Sequence, residues 1–409
     1  MTTNSQSFDQ APPMDRTKPR PGVAGDPFLR ATALAELLET SAVDRDRAAG
    51  TPKPERDLLR ESGLLRLSIP TTYGGSGGDW QTVMRTVRIL AAADSSVAHL
   101  FAFHHLLLAT VRLFGTPDQW EQAYAETARL PLFWGNALNP LDTRMVSTPH
   151  EGWRAFSGRK SFCSGALDSD RLIVSARQDG LDRLVIAAIP TDREGIVLHD
   201  DWDNIGQRQT DSGSVSFERV RIEEAEILQT PGPLGSTFAT LRPLIAQLIL
   251  SNIYLGIAEG AFRATRKYVL HEARRWLLST ADEQAQDPYA LERAGEFWLA
   301  LEGARLLNDR AAAVFDDAWV REDRLTPAER SETAIAIATA KVSAIRGGME
   351  ITNRMFDVMG ARSTMGRFGF DRFWRNLRTH ALHDPIDYKL RELGEWALND
   401  KGPIPTFYS

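Results

Sequence analysis

Residues Arg242 to Leu270 read RPLIAQLILSNIYLGIAEGAFRATRKYVL. Apolar side chains recur there at helical spacing, over a length that no ordinary β-strand reaches, so the stretch predicts one long helix. Downstream, Asp287-Pro288 and Thr326-Pro327 each set a capping side chain before a proline suited to the first helical position. They start two more long helices, the third ending at Gly360. Long helices joined by short connections argue for an up-and-down bundle, expected over residues 233–409.

Upstream the pattern changes. Between residues 133 and 232 the runs WRAFSGRKSF, RLIVSAR, RLVIAAIP and GSVSFERVRI are short, rich in β-branched and aromatic residues, and separated by Gly, Asp and Pro. They predict strands of an antiparallel sheet or small barrel. Residues 26–132 read as helical again: Asp26-Pro27 and Thr116-Pro117 are cap–proline pairs, and Asp79 precedes WQTVMRTVRILAAA. The glycine-rich IPTTYGGSGGDW between these helices has no preceding buried strand and no Lys-Ser/Thr, so it reads as a turn and not as a phosphate cradle. Residues 1–25 are polar and proline-rich without an apolar core, and read as a disordered arm and not as a signal peptide. The expected fold class is α+β, mainly α: an N-terminal helical domain, a central antiparallel β domain and a C-terminal long-helix bundle.

The 409 residues include 43% hydrophobic and 25% charged side chains, an ordinary globular composition. With 48 Lys plus Arg against 54 Asp plus Glu, the net charge of -6 gives no reason to expect nucleic acid or an acidic membrane surface. The single cysteine, Cys163, excludes a disulfide framework within the chain and suits the cytoplasm. No uninterrupted apolar run is read as a membrane span.

Several chemistries are missing. There is no G-x-G-x-x-G after a strand and no Walker A loop, which argues against a built-in nicotinamide or ATP site. H-E-x-x-H, Cys-x-x-Cys, paired Glu-x-x-His motifs and a G-x-S-x-G elbow are absent too. His380 and His383 lack a carboxylate partner at helical spacing on another helix, so no metal centre is expected.

The order of helical domain, β domain and long bundle resembles the acyl-CoA dehydrogenase superfamily. Within it the chain is similar to the flavin-dependent monooxygenase branch, and to its dibenzothiophene-oxidising members. The resemblance runs from about Arg45 to the end and is carried by IPTTYGGSGGDW, AAADSSVAHLFAFH, WGNA, SFCSGA, DDWDNIGQRQTDSGS, PLIAQLILSNIYLGIA, GFDRFWRNLRTHALHDP and PIPTFYS. Where the dehydrogenases carry a catalytic glutamate near the C-terminus, this chain has Leu382-His383-Asp384. Where other relatives put that glutamate on the first bundle helix, it has Arg242-Pro243. A dehydrogenase needs a carboxylate base at the substrate proton. Asp384 is the one candidate, and its position before Pro385 and Asp387 reads as a helix cap.

The resemblance implies a two-component enzyme that uses FMNH2 and O2, through a hydroperoxide at flavin C4a, to oxidise an organosulfur compound such as a thiophene to sulfoxide and sulfone. Such chemistry needs a proton donor, neutral hydrogen-bond donors and a dry pocket. Histidine suits the first role because it titrates near operating pH. By resemblance His383 and Ser164 sit at the peroxide, His99 lies in the substrate pocket, His380 supports the site, and Asn136 hydrogen-bonds near flavin or substrate. Five of the eight histidines fall in HLFAFHH and THALH; His104 and His105 read as packing residues. Ser164 also fits a plain turn serine, and Cys163 is expected buried and inert. Arg274 and Arg362 match flavin-phosphate ligands, although a bundle arginine is more often a solvated or paired one. Trp202 is expected as a wall of the flavin pocket or as core, and Phe103 replaces a tyrosine near the substrate. FMN is expected over FAD, with a separate NAD(P)H:flavin reductase and assembly as a tetramer through the bundles. The alternatives are the same chemistry on an indole or amine, or an FAD-containing acyl-CoA dehydrogenase.

Overall fold

The stretch Leu241–His271 is a single helix, α6, and its N-terminal half is buried on every side. That explains why the sequence there is apolar around the whole circumference and not along one stripe. The computed structural model describes residues 25–181 and 183–409, so the expected arm over residues 1–25 lies almost wholly outside the described residues. α6 packs against α3 (Trp80–Ala93) and α4 (Ser95–Phe114) on one side, and against α7 (Pro288–Trp319) and α8 (Pro327–Met359) on the other. Gly256 and Gly260 lie where α3 crosses: a Cβ at Gly260 would meet the Ala92 carbonyl oxygen at 2.2 Å. By length and hydropathy α4 and α6 would each suffice to cross a bilayer, contrary to the sequence expectation, yet both are buried by protein.

The predicted caps form. Asp287 accepts from the Tyr289 and Ala290 amides, Thr326 and Glu329 make a reciprocal capping box, and Gly360 ends α8. In the N-terminal region, which also contains α1 (Pro27–Ala48), α2 (Lys53–Ser62) and α5 (Pro117–Arg129), Asp26, Asp79 and Thr116 cap in the same way. The IPTTYGG segment is a tight turn whose Gly75 lies against Ile69. The chain closes with α9 (Asp371–Ala381) and α10 (Ile386–Asn399).

The central region is a seven-stranded sheet. Its strands are β1 (Trp134–Ala137), β2 (Val146–His150), β3 (Trp153–Lys160), β4 (Arg171–Gln178), β5 (Leu184–Pro190), β6 (Ile196–Leu198) and β7 (Val215–Glu223). The order is β1-β4-β2-β3-β7-β6, with β5 on β4. Most neighbours are antiparallel, but β4 runs parallel to both β1 and β2, a non-local pairing that no hairpin signal announces. A separate core of Phe156, Val174, Phe217, Ile222 and neighbours fills one face.

Two buried arginines of α2 tie this sheet to the helices. Arg56 pairs with Asp211 at 2.7 Å and donates to the Gly165 carbonyl at 2.9 Å, while Arg60 pairs with Asp168 at 2.7 Å. Arg56 also lies over the Phe133 ring, 4.1 Å from its centroid. Both arginines therefore anchor the loops on either side of Ser164.

Candidate active site

A cavity of about 890 Å³ opens where β domain, α4, α6 and the C-terminal segment meet. Its walls include His99, Phe103, Asn136, Ser164, Trp202, His380 and His383. Seven residues expected from the sequence thus converge. Arg274 and Arg362 do not: Arg274 is exposed in the loop after α6, Arg362 is exposed in the turn after α8, and neither is on the cavity wall.

The β-domain wall is a hydroxyl chain. Ser164 Oγ lies 2.8 Å from Ser212 Oγ, which lies 2.7 Å from Thr210 Oγ1. Thr210 in turn donates to the Gln207 carbonyl, which also accepts the Trp202 indole N–H at 2.7 Å. Backbone bonds clamp the two segments together: Cys163 N–H donates to Gly213 O, Gly165 N–H to Thr210 O, and Asn136 N–H to Ser164 O. Phe162, Gln207 and Asp211 all adopt positive φ, a conformation that costs about 1 kcal/mol or more at a non-glycine and persists where the surroundings enforce it. Ser212, Thr210 and Gln207 were not singled out from the sequence, although the DDWDNIGQRQTDSGS motif contains them. Cys163 is buried, and burial pushes its thiol up to about 12, leaving it inert.

The opposite wall comes from α4 and α9. His99 stacks on Phe103 one turn along α4, with ring centroids 3.9 Å apart. His99 Nδ1 lies 3.1 Å from His380 Nε2. One of these nitrogens donates and the other accepts, so the pair is satisfied only while it carries no second proton on that contact. Burial and the neighbouring His383 lower His99 to about 3, and burial holds His380 well below the ordinary histidine range. The outer atoms, His99 Nε2 and His380 Nδ1, are buried without a partner. Whichever tautomers hold, one of these two atoms is a donor and the other an acceptor.

His383 is oriented from behind. Its Nδ1 lies 3.0 Å from Asp384 Oδ1, an oxygen also held by Lys341 Nζ at 2.6 Å, and Lys341 reaches Gln247 Oε1 at 2.5 Å. With Nδ1–H committed to Asp384, Nε2 is the nitrogen left for the cavity. The cap expectation for Asp384 fails: α10 has Pro385 at its N-cap with no side-chain bond. Burial pushes the Asp384 carboxyl up, but the His383 hydrogen bond and the Lys341 cation outweigh it and hold it well below the usual range. Asp384 is also off the cavity wall, behind His383. It has neither the position nor the basicity of a dehydrogenase base.

This network makes a prediction. Asp384→Asn leaves the 1%-exposed Lys341 ammonium uncompensated and is expected to cost about 3–5 kcal/mol of stability. Adding Lys341→Met is expected to recover most of that stability and none of the lost turnover, which denaturant unfolding and product assays on the two variants would check.

Comparison with known proteins adds the family. Models of the acyl-CoA dehydrogenase N-terminal, middle and C-terminal domains match residues 29–130, 135–220 and 248–388. SfnC of Pseudomonas putida, described as a probable FMNH2-dependent monooxygenase, is 58% identical over 96% of this chain and 98% of its own. The chain belongs to the acyl-CoA dehydrogenase family. It falls in the flavin-dependent monooxygenase branch of that family, as two further likenesses show. The crystal structure of methanesulfinate monooxygenase MsuC from Pseudomonas fluorescens superposes with a TM-score of 0.94 at 59% identity, over 94% of this chain and 100% of that one. Dibenzothiophene monooxygenase of Rhodococcus qingshengii is 41% identical over 98% of this chain and 99% of its own.

Proposed function

We propose that this enzyme, a flavin-dependent monooxygenase working with FMN, transfers oxygen to the sulfur of an organosulfur compound inside this cavity. The observation that carries the reading is the His383 imidazole, oriented by Asp384 on the wall of a cavity that the bonded His99–His380 pair also lines. When bound, reduced FMN supplies the two electrons that let one atom of O2 go to sulfur and the other leave as water. Trp202 and Phe162, edge to face at 5.9 Å, wall the flavin's side, while Asn136 and the Ser164 hydroxyl chain offer hydrogen bonds to its polar edge. His383 Nε2 delivers the proton that the departing oxygen needs, a role worth about 10²–10⁴ in rate. His99 and His380 stay neutral and orient substrate and flavin without trapping a proton. Phe103, Leu106 and Leu138 keep water from the reacting atoms.

The relatives support two sulfur substrates. A flat thiophene such as dibenzothiophene, oxidised to sulfoxide and sulfone, would lie against Phe103 and Trp202. A small sulfinate is favoured by one further wall residue, taken up below. FMNH2 comes from a separate flavin reductase, and phosphate contacts from Arg274 and Arg362 require a neighbouring subunit. The exposed apolar residues Trp276, Leu277, Leu278, Trp298, Leu299 and Leu306 on and beside α7 support assembly through the bundles. The test is coupling: with FMNH2 supplied, an organosulfur substrate is expected to divert oxygen consumption from H2O2 into product. Equal H2O2 with and without every sulfur compound, but less with indole or an amine, would redirect the reading to those substrates.

A further inference from the structure

Arg242 stands in the first turn of α6, is 8% exposed, and lines the cavity. Among the described residues no carboxylate pairs with it; its recorded bond is a long one, Nε to Thr110 Oγ1 at 3.5 Å. A buried guanidinium ordinarily brings its own anion, because removing the charge from water without one is costly. Arg56 and Arg60 do so, with Asp211 and Asp168, while the buried Arg330 beside Thr240 is held by the oxygens of Thr240 and Ser409. The helix adds to the imbalance, since the N-terminal end of α6 repels a cation and attracts an anion. Burial lowers Arg242 to about 10, which leaves it charged at neutral pH.

We propose that Arg242 is the substrate's anion receptor and that the enzyme's substrate is a small organosulfinate, R–SO2⁻, with the two sulfinate oxygens on the guanidinium fork. The planar fork matches two oxygens on one centre, which a thiophene sulfur lacks. Tyr408 joins this receptor to the chemistry. It lines the same cavity as Arg242, and its ring lies 5.8 Å from that of His383. Oxygen transfer then gives the sulfonate: R–SO2⁻, O2 and FMNH2 become R–SO3⁻, H2O and FMN, with sulfur oxidised by two electrons and one O–O bond broken. The inference rests on the monooxygenase reading above and selects among its substrates.

The experiment measures methanesulfinate binding directly, by calorimetry, to the wild type, Arg242→Gln and Arg242→Lys, with dibenzothiophene turnover run on the same preparations. Arg242→Gln is expected to weaken methanesulfinate about 10- to 100-fold, the range for a lost charged hydrogen bond. Arg242→Lys, which keeps charge but loses the fork, is expected in between. The unfolding midpoint of Arg242→Gln is expected at or above that of the wild type, because an unpaired buried cation serves ligand and not fold. Unchanged methanesulfinate binding in Arg242→Gln, no binding by the wild type, or weakened FMN with intact methanesulfinate binding would each overturn the proposal. In those cases dibenzothiophene oxidation by the wild type would show that the monooxygenase reading survives without it.

Discussion

His383→Ala is expected to cut sulfur oxygenation by about 10²–10⁴ while O2 consumption continues and H2O2 takes the place of product. The size follows from removing a positioned proton donor, and the diversion follows from leaving the remaining pocket intact. His383 is a 36%-exposed side chain open to the cavity and held by one hydrogen bond to Asp384 beside the Tyr408 ring, so its truncation should disturb the fold little. Thermal unfolding close to that of the wild type is part of the expected result. An alternative in which His383 merely packs against Tyr408 predicts partial loss of both oxygen uptake and product, with no change in their ratio. Measuring H2O2 and product in the same reaction separates the two.

The second large effect is acid instability. Four histidines are buried neutral: His99 lowered to about 3, His104 to about 4, and His105 and His380 well below the ordinary range, in each case chiefly by burial. His104 accepts the Trp134 amide and donates to Leu65 O, so both of its ring nitrogens are committed, while His105 bonds Ser68 through Nδ1 in a fully buried setting. The sign is fixed by linkage. From about pH 6.5 downward the unfolded chain takes up protons that the folded chain refuses, so stability falls as pH falls. Each such group costs about 1.4 kcal/mol per pH unit below that point, and four together cost about 5.6 kcal/mol per unit. Against a total stability of about 5–15 kcal/mol, cooperative unfolding is expected near pH 5. A melting-temperature series from pH 8 to 4.5 would show it, and a midpoint constant between pH 7 and 5 would contradict it. His105→Phe is expected to flatten the slope by one group's share.

Much of the fold is legible because it is local. A cap side chain, a proline and a helical apolar period lie within a few residues of one another, and Asp26, Asp79, Thr116, Asp287 and Thr326 all cap where they are read. The β domain is less so. The parallel pairing of β4 with β1 and β2 depends on crossovers that leave no short-range mark.

The candidate site divides in the same way. His99, Phe103, Asn136, Ser164, Trp202, His380 and His383 come from motifs scattered over the chain, and the fold gathers them at one cavity. Pairing is what the sequence does not reveal. Asp384 before a proline reads as a cap, yet a lysine on α8 claims it. Arg242 reads as a missing glutamate, and its significance lies in having no carboxylate partner among the described residues. Arg274 and Arg362 resemble phosphate ligands, yet within one subunit they face outward.

The central claim is transfer of oxygen from O2 to sulfur. It is tested most directly by supplying the purified protein with FMNH2 and ¹⁸O2, with methanesulfinate or dibenzothiophene present, and weighing the products. The account predicts one ¹⁸O in each newly formed sulfur–oxygen bond and the second atom of O2 in water. Sulfur products free of label, or O2 consumption no greater than that of free FMNH2, would contradict it.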